Sequence, residues 1–156
     1  MSAKNWAGWD KAGWEKAATA LRFRDKAFIN GRHVAAESGA IFDCVNPATD
    51  DVLAQVAACD AADIDKAVAA ARTAFESGSW SAMAPMDRKA VLLRLADLIR
   101  ENIVELALLD SLDMGKLITD ATSVDVPGSA LFFQWYAEAI DKIYDEIAPT
   151  GAGNLA

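Results

Sequence analysis

From Pro85 to Leu112 the apolar residues recur with the period of an α-helix: Val91, Leu92, Leu95, Leu98, Ile99, Ile103, Leu106, Leu109 and Leu112 form one stripe. A strand cannot sustain that spacing, so the middle of the chain is committed to helix and must bury one long face. Pro85 suits a first helical turn, and Gly115 with Lys116 ends the run. The stretch exceeds an ordinary globular helix, and Asn102, a poor helix former, is where a break or bend is expected.

Three further helices are expected around it. Over residues 4–22, Trp6, Trp9, Trp14, Ala17 and Leu21 share one half of a wheel, and the mixed-sign polar face favours packing on protein over a membrane-interface anchor. Asp60 caps a helix over Ala61–Glu76, closed by Gly78, whose alanine-rich stripe predicts close approach to a neighbour. The last is expected to start at Asp125 as N-cap, with Pro127 in its first turn, and to run to about Glu146. Its aromatics lie on more than one face, as in a helix sandwiched between partners.

The β-prone runs are short: Phe28–Val34 (FINGRHV) with turn residues Asn30 and Gly31, Ile41–Val45 (IFDCV) after Ser38 and Gly39, and Val52–Ala58 (VLAQVAA) beyond the Asn46–Pro47 stop. A small antiparallel β layer followed by helices is an α+β unit. The 156 residues amount to one domain, no repeat or linker interrupts them, and 53% hydrophobic with 24% charged residues is a globular composition. A net charge of −8 argues against nucleic-acid or anionic-membrane surfaces, which draw affinity from basic patches. The N-terminus carries charges every few residues and lacks the apolar core of a signal peptide, and Val126–Ala137 is too short to span a bilayer. Cys44 and Cys59 show no CxxC spacing and read as reduced, inert thiols in apolar strand contexts of a cytoplasmic protein.

No active site assembles from these residues. Nucleophilic catalysis needs a base beside the thiol or hydroxyl, and the one histidine, His33, lies on an expected strand as a surface or hydrogen-bonded residue. Tetrahedral zinc lacks ligands. Asp60, Asp63 and Asp65 and the Asp110/Asp113 pair lack the glycine and terminal glutamate of a calcium loop, and read as caps and solvated faces. The Gly151–Gly153 GAG is too short to cradle a phosphate.

Taken in order, FINGRHV, VNPAT at Val45–Thr49 followed by VLAQVA, ADIDKAVAAARTAFESGSW, DRKAVLLRLADLI, ELALLDSLDMGK and WYAEAIDKIYDEIA resemble the N-terminal segment of the NAD(P)-dependent aldehyde dehydrogenase superfamily over Phe28–Ala148. The ADIDKAVAAAR and WYAEAIDKIY strings resemble in particular the γ-glutamyl-γ-aminobutyraldehyde dehydrogenases. The resemblance implies part of an α/β Rossmann-like fold, with residues 1–146 contributing to the cofactor-binding domain and 147–156 beginning the oligomerisation arm. It implies thiolate attack on an aldehyde, hydride transfer to NAD or NADP, thioester hydrolysis and a homo-oligomer.

The same resemblance implies that the chain is truncated. The family's cysteine nucleophile, glutamate base, oxyanion asparagine and ribose-holding lysine and glutamate have no match here, so no catalytic or cofactor-binding residue is expected. Four residues match peripheral positions: the Val45 carbonyl and Asp113 a structural monovalent-cation site, and Asp125 and Gly128 the start of the helix lining the substrate tunnel. Plainer readings stay open, with Asp113 a helix-end polar residue and Asp125 an N-cap. Three readings of the whole remain: an inactive enzyme fragment, a non-catalytic interaction module pairing with full-length subunits, and an unrelated stand-alone α+β binding domain.

Overall fold

The computed structural model describes residues 6–142. Helix α1 (Lys11–Thr19) is followed by strands β1 (Ala27–Ile29), β2 (Arg32–Val34), β3 (Ile41–Val45) and β4 (Val52–Ala57). Helices α2 (Ala61–Glu76), α3 (Pro85–Glu101), α4 (Ile103–Met114) and α5 (Ile118–Asp120), a π-helical segment (Ala121–Asp125) and α6 (Val126–Ala139) complete it. The α+β class read from the sequence holds.

The strands form two separate antiparallel hairpins. The first splits FINGRHV at Asn30 (φ 50°) and Gly31 (φ 74°). Two consecutive left-handed residues make a tight turn whose twist matches the flanking strands, and Asn-Gly accepts that conformation at least cost. The β3–β4 loop is built on Asn46: its carboxamide oxygen accepts from the Ala48 amide at 2.9 Å, and its carbonyl accepts from the Asp50 amide at 2.8 Å.

Helix α1 is shorter than its tryptophan pattern implies. Asp10 caps it, its side chain accepting from the Gly13 amide at 3.0 Å, while Trp6 and Trp9 belong to a preceding turn. The indoles dock on one another, with Trp9 and Trp14 edge to face at a 5.0 Å centroid separation. An aspartate that can hold N-terminal amides sets the boundary where apolar periodicity cannot.

The break at Asn102 is present. Its backbone leaves the helical region (φ −108°, ψ 23°) and its side-chain amide donates to the Leu98 carbonyl at 2.8 Å. Helices α3 and α6 make the most extensive packing among the described elements. The contact is close because its buried residues are small: Ala96 on α3 and Ala130 and Ala137 on α6 are fully buried. Lys89 pairs with Asp141 at 2.8 Å and Arg100 donates to Gln134, lacing the antiparallel pair along its length. Ala107, Ala121 and Val126 form the core cluster, surrounded by Ile99, Ile103, Leu106 and Ile118.

Three helix expectations are corrected. The last helix does not begin at Asp125, which is itself helical (φ −71°, ψ −53°) and makes no capping bond. The chain runs on from α5 through the π segment, where the Val126 amide reaches back to the Ala121 carbonyl. Two features favour the wider turn. Thr122 and Ser123 turn their hydroxyls back onto the Ile118 and Thr119 carbonyls at 2.7 and 2.6 Å, and Pro127 has no amide to offer and needs room for its ring. Second, α6 stops at Ala139 and residues 140–142 form a turn; the remainder of the span to Glu146, like the 147–156 arm, lies outside the described residues. Third, the stripe of α2 is largely uncovered among the described residues: Ile64 and Phe75 are 56% and 66% exposed.

Candidate functional site

Among the described residues, the polar groups matched to family positions cluster where the helical layer meets the second hairpin. Helix α4 ends on Gly115 in the left-handed conformation (φ 74°), where a β-carbon would sit 3.2 Å from the Pro47 ring. Glycine therefore serves twice, permitting the cap and the approach of the β3–β4 loop. The approach brings Cys44, on β3, against Asp113: its thiol donates to the carboxylate at 2.8 Å. Val45 follows Cys44 at an irregularity in the strand register, so the end of β3 lies beside the end of α4.

This arrangement opposes nucleophilic chemistry at Cys44. The bond to Asp113, partial burial and the carboxylate's charge all hold the thiol above its ordinary range, which keeps it protonated. Cys59 is also raised, by desolvation and by Asp63 and Asp60. It is exposed rather than buried as its apolar context suggests, while Cys44 is half-buried. His33 stands apart from both thiols in its partners, meeting Arg24 at 3.4 Å and the Phe28 ring. No Cys/His pair forms among these contacts.

One carboxylate is a hard-oxygen donor of low charge, fewer charges than a divalent cation site ordinarily gathers. No group of three or more His, Cys, Asp or Glu among the described residues is placed to hold a metal. The thiol of Cys44 engages one Asp113 oxygen, Oδ1.

Asp125 sits in the π segment with its carboxylate turned to Lys116, whose ammonium lies 3.0 Å from Oδ2 and 3.3 Å from Oδ1. That contact raises the Lys116 pKa above the ordinary lysine range. Ser111 donates to the Lys116 carbonyl at 2.8 Å, so the loop after α4 is fixed from both ends. Gly128 faces open space, with nothing within 4 Å of a β-carbon built there. Asp125 and Gly128 are thus within one helical turn of each other, the first neutralised by a lysine and the second leaving room.

Sequence reasoning named Asp63 as a cap or solvated residue but did not foresee its burial or its long-range partner. Asp63 is 3% exposed, closes a capping box with Asp60, and accepts the Glu37 amide at 3.0 Å. It is a cap as read, but a buried one that also ties α2 to the loop before β3. The D-x-x-D spacing signals the box; nothing local signals Glu37.

The sequence profile of the aldehyde dehydrogenase family matches residues 33–156. The chain is 50% identical over 139 residues to the aminoacetaldehyde dehydrogenase of Pseudomonas aeruginosa, covering 89% of this chain and 28% of that protein. It is 46% identical over 143 residues to the NADP/NAD-dependent aldehyde dehydrogenase PuuC of Escherichia coli, covering 92% and 29%. Its backbone superposes on a crystal structure of an indole-3-acetaldehyde dehydrogenase with a TM-score of 0.87 at 48% identity, over 99% of this chain and 34% of the other. A γ-glutamyl-γ-aminobutyraldehyde dehydrogenase from Burkholderia cenocepacia gives 0.86 at 48%, over 97% and 29%. The chain spans about a third or less of the length of these relatives. Among the described residues no helix is long and apolar enough to cross a membrane.

Proposed function

Since the chain belongs to the aldehyde dehydrogenase family, we propose that it is the N-terminal part of an oxidoreductase that converts an aldehyde to a carboxylic acid with NAD(P)+. The carrying observation is backbone agreement over nearly the whole chain at close to half sequence identity. The substrate reading is an amino or γ-glutamylamino aldehyde, supported by the names of the relatives from Pseudomonas, Escherichia and Burkholderia taken together with an acidic chain. Residues 1–146 then contribute to the cofactor-binding domain, and 147–156 begin the arm of a cytoplasmic homo-oligomer.

The nicotinamide nucleotide supplies the hydride acceptor in such an enzyme. The described glycines with positive φ, at positions 31, 39, 78 and 115, are single turn or cap residues and do not build a phosphate cradle. On the family resemblance, the residues holding that nucleotide are read in the remaining two-thirds of the relatives' length. No residue of this chain is assigned to catalysis, and both thiols have pKa values raised away from the thiolate that aldehyde attack requires.

What this part supplies is support. Val45 and Asp113 hold a monovalent cation at the seam between β3 and α4. Asp125 and Gly128 form one wall of the aldehyde tunnel, where the glycine gives width and the carboxylate, shared with Lys116, orients a cationic substrate without trapping it. The test is to express the reading frame through and beyond Ala156 and follow NAD(P)H formation with aminoaldehydes. Turnover by the extended protein and none by the 156-residue chain is the expected result; turnover by the short chain that alkylation of its two cysteines abolishes overturns it.

A second reading is favoured by one observation. Phe132, Trp135 and Tyr136 are 68%, 60% and 61% exposed on α6, an aromatic surface that calls for a protein cover. The alternative is a non-catalytic subunit that associates with full-length partners, and a pull-down that captures no such dehydrogenase counts against it.

A further inference from the structure

A cavity of about 460 Å³ lies between α1 and the α3–α4 junction, and none of Val45, Asp113, Asp125 and Gly128 lines it. Its size falls within the range of small-molecule sites. Leu21, Val104 and Leu108 give it apolar walls, and Trp9 closes one side. The position of that indole depends on Gly13, where a β-carbon would lie 3.0 Å from the Trp9 side chain.

The polar groups around the cavity divide into spent and free. Glu101 is engaged by Arg94 at 2.9 Å, and the Asn102 amide is given to the Leu98 carbonyl. Arg22, just beyond α1, and Glu105, in the first turn of α4, form no ion pair among the described residues. The cavity is therefore lined by one positive and one negative exposed side chain, on different elements and without ion-pair partners among the described residues, beside the apolar Leu21, Val104 and Leu108.

We propose that this cavity binds a zwitterion whose charges are separated by a hydrocarbon chain, an ω-amino acid, with its carboxylate on Arg22 and its ammonium on Glu105. The chain lies along Trp9 and the aliphatic wall, where the indole face also favours the cation. A ligand of one charge satisfies only half of the site: an amine pairs with Glu105 but meets Arg22, and a carboxylate does the reverse. The planar guanidinium additionally suits a carboxylate through paired N–H donors.

The proposal stands on the cavity alone and is independent of the dehydrogenase reaction. Calorimetric titration of the full 156-residue chain with 6-aminohexanoate, without aldehyde or nucleotide, tests it, so failure here leaves the proposed reaction untouched. Saturable binding is expected, weakened roughly tenfold for hexanoate and for hexylammonium, each of which loses one charge-assisted contact. Arg22→Gln and Glu105→Gln reduce 6-aminohexanoate binding by a similar factor, and the exchange Arg22→Glu with Glu105→Arg restores it with the ligand reversed. Gly13→Ala weakens binding without changing any charge, by displacing Trp9. Absence of saturable binding at millimolar probe, equal binding of the three probes, or indifference to both charge-removing variants overturns the proposal.

Discussion

Helices α2 and α6 carry equally plain sequence signals and reach opposite ends. Helix α6 lays Ala130 and Ala137 on α3, with no exposed surface left on either. Helix α2 presents Ile64, Val68 and Phe75 on its periodic stripe and leaves all three mostly exposed. Amphipathic spacing states that a face requires cover; it does not state which part of the polypeptide supplies it. Even α6 is half-dressed, since its alanine side is buried and its aromatic side is not. Relatives roughly three times as long as the matched stretch or more, since it covers 28% and 34% of them, have further chain that could supply such cover.

A charge placed on each helix region separates them most sharply. Ala121→Asp puts a carboxylate into the fully buried cluster beside Ala107 and Val126 and is expected to cost about 4 kcal/mol or to abolish cooperative urea unfolding. Val68→Asp, on the open stripe of α2, is expected to change stability by about 0.5 kcal/mol or less. Equal losses would mean that α2 is covered in solution. Between these lies Asp63→Ala, which leaves the Glu37 and Asp60 amides without their acceptor and should cost about 1–3 kcal/mol in the same assay.

Smaller effects come from the exposed pairs. Lys116 has a folded pKa above its unfolded value because of Asp125, so its stabilising contribution is complete below about pH 10 and is lost as pH rises through the folded value. Thermal melts of Lys116→Met against the parent should therefore converge at high pH. Asp141 is held at about 2 by Lys89 and Lys142, so its contribution is present above about pH 4 and disappears as pH falls through that folded value; NMR titration of its carboxyl carbon checks it. The smallest effect is kinetic. Asp113→Asn removes the acceptor charge beside Cys44 and is expected to speed its alkylation at mildly alkaline pH while leaving Cys59 unchanged.

Features governed by a few adjacent residues were legible in the sequence. Asn30-Gly31 declares its turn, Asn102 its break and Gly115 its cap, because each is a short-range conformational choice. Asp125 shows where that logic ends. An aspartate before a proline looks like a helix start, but the outcome was decided by Thr122 and Ser123 bonding to the previous turn. The Cys44–Asp113 contact joins residues 69 apart, and no local pattern announces it. The four candidate site positions came from family resemblance, not from composition or spacing, and the folded chain gives them neighbours that neither source supplied: Cys44 for Asp113 and Lys116 for Asp125.

The π segment can be understood as an insertion of one residue that the helix has retained. An α-helix advances about 100° per residue, so one additional residue before Val126 turns everything after it by about that angle relative to α5. Which side of α6 meets α3, and which side holds Phe132 and Tyr136 out to solvent, is thus phased from Ala121–Asp125. Losing a single codon there would keep every helix and every aromatic in the chain, yet bring a different face of α6 round to α3, with bulk arriving where Ala130 and Ala137 now make the fit.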